Sequence, residues 1–300
     1  MNRHLTALIA AAAAVAALTP SARASRQSGW SEPVNLGSAI NSPYEESGPA
    51  ISNDGRALYF QSNRPGSNNC DIWVARRESL HDDWETPQNL GAAVNGEICE
   101  SAPALSRDEH HLFFARLSPT QPADIWVSYR RNVHDDFGWE APVPLNSAIN
   151  TEASDGTPKH FESRRYGLSQ LYFYSTRPGG LGSFDIYVAS AFGTPVSVPE
   201  LNSPQIDASP TLSRNGLEIV FHSNRLGAIG QRDLWTSVRS NVLDPWSPPM
   251  NLGDVVNSTS NEQTTALSAD GETLFFGSDR PDGFGGYDLY MTTRTTHRRR

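Results

Sequence analysis

Basic charge and cysteine are both scarce in this chain, and long apolar runs are confined to its first residues. The 300 residues carry a formal charge of −9, and the only basic run is the terminal stretch His297 to Arg300. An acidic chain without a basic stripe is a poor nucleic-acid binder, so no nucleic-acid partner is expected. No Gly-x-Ser-x-Gly elbow and no Cys-His arrangement is visible, which removes the usual signs of a covalent nucleophile. The histidines are scattered: His81 and His134 fall in loops, His110 and His111 in a turn, His160 and His222 in different strands. None has a zinc spacing, and no metal site is expected from them. All seven tryptophans fall on repeat positions, so none is left over to build a sugar-stacking platform.

The opening residues 1–24 read as a signal peptide. A basic start is followed by 14 apolar residues from Leu5 to Leu18, with small residues at Ala22 and Ala24. That run is too short to span a bilayer, and no cysteine follows the cleavage site to carry a lipid. Export to the periplasm or beyond is therefore expected, with no transmembrane segment in the mature chain. Removal of Arg3 and Arg23 takes the formal charge to −11.

Residues 25–300 read as one domain built from an internal repeat. The phrase "SNRPGSNNCDIW" (Ser62 to Trp73) returns as "STRPGGLGSFDIY", "SNRLGAIGQRDLW" and "SDRPDGFGGYDLY", with a degenerate copy in "RLSPTQPADIW". Each copy follows an apolar stretch ending in Phe60, Phe114, Phe173, Phe221 or Phe276, usually after an Asp-Gly or Asn-Gly turn. Further upstream an Asn stands five residues before an acid: Glu46, Glu100, Asp155, Asp207 and Glu262, at intervals of 52 to 55 residues. That period fits one four-stranded blade per copy, with repeats starting near 30, 84, 139, 194 and 246.

The fourth-strand phrase "WSEPVNLG" at Trp30 to Gly37 precedes any first strand, whereas the last repeat ends after its third. One end lacks what the other has spare. The fold expected is thus all-β, a five-bladed propeller of four-stranded antiparallel blades, with the N-terminal strand closing the last blade. Cys70 and Cys99 each precede a repeat acid on one face of the ring, and they read as a disulfide between blades 1 and 2, against two free thiols.

The combination of "W..P.NLG", "N....E..P.IS.DG..LYF.S.RPG" and "DIWV" resembles the TolB-type propeller repeat of bacterial periplasmic and surface proteins, and it covers essentially all of the chain after the leader. The resemblance implies the propeller fold. It implies little about activity, because such propellers serve as docking platforms, ligand binders and frames for enzymes acting on glycans or peptides. TolB itself has an additional N-terminal domain and six blades, so its partners are not carried over.

The candidate ligand-binding residues are the five repeat acids Glu46, Glu100, Asp155, Asp207 and Glu262, with Asp124 from the third-strand aspartates Asp71, Asp124, Asp185, Asp233 and Asp288. Arg64, Arg177, Arg225 and Arg280 accompany four of the acids, and Ser118 holds that place in the second blade. Ten carboxylates against four guanidinium groups predict an acidic axial face, with Glu100 and Asp124 most open to a partner. A calcium ion at that ring is the one cofactor candidate; otherwise none is expected. The competing reading is structural: acids and arginines that hold each blade together. The third blade also spends 15 residues from Pro158 to Phe173 where its sisters spend 11, and its insertion "KHFESRRYGLSQ" should emerge on the opposite face as a partner contact or a tolerated loop. Uniform local surroundings argue against a catalytic pair among the ring acids. The expected function is a monomeric, non-catalytic binding platform for an envelope protein, peptide or glycan. The alternative is a glycan-processing enzyme, of glycoside hydrolase or lyase type, using axial carboxylates.

Overall fold

The computed structural model describes residues 29–295, so the stretch 1–24 expected to be a signal peptide and the terminal basic run lie outside the described residues. In chain order, β1 (Val34–Asn35) precedes β2 (Glu46–Ile51), β3 (Ala57–Ser62), β4 (Asp71–Arg76) and β5 (Gln88–Asn89), which form blade 1. Blade 2 is β6 (Cys99–Leu105), β7 (His111–Ser118), β8 (Gln121–Tyr129) and β9 (Val143–Pro144); blade 3 is β10 (Asp155–Ser163), β11 (Leu168–Ser175), β12 (Asp185–Ser190) and β13 (Val196–Ser197). Blade 4 is β14 (Asp207–Leu212), β15 (Glu218–Ser223), β16 (Asp233–Val238) and β17 (Met250–Asn251). Blade 5 is β18 (Glu262–Leu267), β19 (Thr273–Ser278) and β20 (Asp288–Thr293), completed by β1, whose Val34 and Asn35 pair with Met291 and Tyr290. The ring therefore closes as the spare N-terminal phrase predicts.

The second strand of each blade is apolar on both faces because a neighbouring blade covers each face. Leu58, Tyr59 and Phe60 are all fully buried, and Phe114, Phe173, Phe221 and Phe276 repeat the pattern. The apolar clusters accordingly straddle adjacent blades: Leu289 and Ile40 of the closing seam pack with Leu58, Phe60 and Trp73 of blade 1. At the outer rim an arginine stacks on the tryptophan that opens the fourth strand, as Arg294 on Trp30 at 4.2 Å and Arg239 on Trp246 at 4.1 Å. Cys70 and Cys99 form the disulfide between blades 1 and 2.

Every first strand carries a register shift two residues after its acid, where the backbone turns to positive φ: Gly48, Ala102, Thr157, Ser209 and Thr264, at 45° to 61°. Only one of the five is glycine, so four non-glycine residues hold a conformation that costs each of them energy. Cross-blade hydrogen bonds anchor the bulges: Gly48 N–H donates to Thr264 Oγ1 at 3.1 Å, and Ser209 N–H to Thr157 Oγ1 at 3.1 Å. They draw the first strands together into a narrow neck on the axis.

Candidate functional site

The five ring acids lie at zero exposure. Each carboxylate accepts the backbone N–H of the residue four positions earlier: Ser42 to Glu46 at 2.7 Å, Gly96 to Glu100 at 3.0 Å, Thr151 to Asp155 at 2.9 Å, Ser203 to Asp207 at 2.6 Å and Ser258 to Glu262 at 3.0 Å. Each also pairs with an arginine, Arg64, Arg116, Arg177, Arg225 or Arg280. That arginine lies over the blade's Phe and its third-strand aromatic, as Arg64 does over Phe60 at 5.2 Å and Trp73 at 5.3 Å. The repeated asparagines have a similar job, since Asn95 accepts from Ile72 N–H at 2.9 Å and donates to Ile72 carbonyl at 3.0 Å, clamping the preceding blade. Burial pushes the carboxyls of Glu100 and Glu262 above the usual range, against the arginines and hydrogen bonds that hold them down.

This geometry corrects the expected openness of the repeat acids. The second blade does not lack its arginine. Its tight turn between β7 and β8 shortens the loop, and Arg116, two places before Ser118, donates Nε–H to Glu100 at 2.9 Å. The five repeat acids meet five arginines and are locally neutralised, so a calcium ion there would have to displace those pairs, while the five third-strand aspartates have no arginine partner among the described residues. Among the described residues no group of three or more His, Cys, Asp or Glu side chains is placed to hold a metal ion. Asp71, Asp185, Asp233 and Asp288 are buried as well, and Asn89, Asn251 and Asn35 donate to three of them at 2.7, 2.6 and 2.8 Å. Asp124 differs. Pro144 stands where the asparagine would donate, Asp124 stays partly exposed, and burial with the nearby Asp155 charge raises its carboxyl.

The pocket on the ring axis opens on the other face, among the turns between first and second strands. It is a cavity of about 80 Å³ lined by Lys159, His160, Glu109, Glu162, Arg107 and Arg214, among others. Lys159 also lines the neck below. It is the only lysine in the sequence. In the register of β10 it faces Tyr172, where the other blades place Ala50, Ala104, Thr211 and Ala266 against Tyr59, Phe113, Val220 and Phe275. Among the described residues Lys159 makes no hydrogen bond or ion pair, and its burial pushes the ammonium down to about 8. Burial likewise pushes His160 down to about 4; its Nε2 lies 3.0 Å from Ser169 Oγ and its Nδ1 has no hydrogen-bond partner.

The mouth of this cavity is laced across the axis. Arg107 Nη1 donates to the carbonyls of Glu162 at 3.0 Å and Arg214 at 3.2 Å, and Arg214 Nη1 donates to Asn53 Oδ1 at 2.7 Å. Asn53 Nδ2 returns a bond to the Arg107 carbonyl at 2.9 Å, while Glu109 accepts the Asn53 N–H. Two carboxylates, an unpaired ammonium and a neutral imidazole thus line one open-mouthed cavity. Such a set can move a proton and hold a charged group. The repeat-based candidates miss it, but a signal exists: "PKHF" replaces the "PAIS", "PALS" and "PTLS" of the other blades, with a cation and an imidazole where they keep small or aliphatic residues.

No family model matches the chain, and no curated protein does. Solved structures are similar at the level of fold. A thermostable family-43 glycoside hydrolase superposes with a TM-score of 0.61 at 14% identity, covering 85% of this chain and 91% of its own. An α-L-arabinofuranosidase from Lactobacillus brevis gives 0.60 at 14% identity, with 87% and 93% covered. A putative TolB from Agrobacterium tumefaciens gives 0.50 at 16% identity, with 89% and 91% covered. The expectation of a non-catalytic binding platform is overturned here, because the similar propellers are mostly named as glycoside hydrolases and few as TolB. At these identities the likeness establishes the five-bladed fold of this chain. Among the described residues no helix is long and apolar enough to cross a membrane.

Proposed function

We propose that this chain is a glycan-processing propeller whose working residues surround the axial cavity rather than the acid ring. The observation that carries the reading is the coincidence of Glu109, Glu162 and the unpaired Lys159 around one axial space, in a ring of the same build as the glycoside hydrolases it resembles. Cleaving a glycosidic bond needs a proton donor for the leaving oxygen and a second group acting as base or nucleophile, in contrasting environments. Lys159, near 8, is mostly protonated at neutral pH and is poised to donate; Glu109 and Glu162 supply carboxylates on the same cavity. Of the ring carboxylates, Asp124 alone retains a partly exposed carboxyl for a ligand on the opposite face. The disulfide fits an oxidising compartment and supports export through the leader. The repeat phrase itself we infer to be of the TolB type, as the likeness to TolB supports.

The test is reducing-end release by the purified chain from a panel of plant, bacterial and acidic polysaccharides. Cleavage of at least one is expected, falling 10²-fold or more in Glu162→Gln with an unchanged Tm. A panel neither cleaved nor bound would overturn the reading.

A further inference from the structure

We propose that the glycan this site takes is an anionic saccharide, whose carboxylate or sulfate enters the axial cavity and meets Lys159 while the sugar lies in the arginine-lined cleft beside it. This rests on the glycan-processing reading and names its substrate class. The cleft, about 420 Å³, adjoins the cavity and shares Arg107, Glu162 and Arg214 with it; the blade 3 insertion adds Arg164 and Arg165. The insertion therefore emerges opposite the acid ring, as its place between first and second strands requires.

Charge accounts for the preference. Nine arginines of the described chain are held in ion pairs with Asp or Glu and eight are in none; four of those eight, Arg107, Arg164, Arg165 and Arg214, line the two hollows together with Lys159, which is in none either. A chain of net charge −9 thus places five cations outside any ion pair around two adjoining hollows whose lining also holds Glu109, Glu162 and Asp270, five positive groups against three negative. Arg107 and Arg214 commit Nη1 to backbone and Asn53, which leaves other guanidinium N–H groups for a planar anion. Desolvating Lys159 without a counter-charge costs stability, and an anion arriving in the cavity offsets that cost. Size agrees with the division of labour. The cavity has room for a carboxylate and a few waters, and the cleft is in the range of a small-molecule site.

The experiment is calorimetric titration of the folded chain with trigalacturonate, its fully methyl-esterified counterpart, a sulfated neutral trisaccharide and inorganic sulfate. At pH 8.5, run in two buffers of different ionisation enthalpy, trigalacturonate or the sulfated sugar should bind with uptake of part of a proton as Lys159 recharges. The methyl ester should bind at least tenfold more weakly. Lys159→Met should abolish the proton uptake, and the surface double variant Arg164→Ser with Arg165→Ser should weaken binding and flatten its salt dependence while leaving the fold intact. Equal binding of acid and ester overturns the anionic class but leaves the glycan reading standing. Inorganic sulfate binding as tightly as any saccharide overturns the saccharide part. No binding of any sugar, with no polysaccharide cleaved, removes both.

Discussion

Trp30→Ala should loosen the whole ring, and more than the same change in a blade made of consecutive strands. Trp30 is 6% exposed, stacks beneath Arg294 and begins the segment leading into β1, in which Ser31 N–H donates to the Thr293 carbonyl at 2.7 Å. Trp246 has the same exposure and an equivalent arginine, Arg239, in blade 4. Truncating a buried tryptophan costs about 3–5 kcal/mol, so the two variants should lose similar equilibrium stability. Their kinetics should differ. The seam between β1 and β20 joins residues some 260 positions apart, as Ser31 and Thr292 are, so it forms late and its loss falls almost wholly on unfolding. For about 4 kcal/mol that predicts roughly 10³-fold faster unfolding for Trp30→Ala. Trp246 sits in a local meander formed earlier, and half of the same loss should appear there, roughly 30-fold. Stopped-flow unfolding in urea reads both numbers. Equal acceleration in the two variants would refute the idea that this seam is the ring's last-closed joint.

Glu100→Gln and Asp207→Asn should each cost about 3–5 kcal/mol in urea denaturation, because each breaks an ion pair with a fully buried acid and leaves a partly buried arginine unpaired; a clearly cheaper Glu100 variant would mean that Arg116 does not replace the missing arginine. Reducing the Cys70–Cys99 bond, 29 residues apart, should lower stability by roughly 3–4 kcal/mol, and an unchanged melt on reduction would refute this. His222 is buried beside Arg232 and pushed down to about 3, so the folded chain leaves it neutral while the unfolded chain protonates it from about 6.5. Its contribution is complete above pH 6.5 and is lost as pH falls, by about 3 kcal/mol at pH 4. His222→Gln should flatten that acid limb, and identical pH profiles for parent and variant would show that another group sets it.

The fold was legible because repeated residues perform the same local task blade after blade: asparagine clamps the neighbouring strand and acid and arginine pair beneath the loop in all five, and tryptophan packs under an arginine at the rim in four. Repetition announces such tasks and says little about exposure, which is why the acid ring looked open. Burial came from the arginines and from the loop backbone folding over it. Arg116 escaped notice because a tighter turn moved the guanidinium by two positions without moving its target. Lys159 and the rim arginines lie where the repeat is broken. A period is by construction blind to such departures, and in a symmetric ring the singular side chain is the one free to serve something other than the ring.

The seam has one more consequence, for the order of the chain. Because β1 lies hydrogen-bonded along β20, a short peptide could join the two ends of the described ring, and new ends could be cut in the Ser52 to Ala57 turn. The permuted chain would build blade 5 from contiguous strands. Its seam would pass to blade 1, where β2 would dock from the far terminus, so the slowest-closing blade is set by where the chain is cut and can be moved around the ring at will.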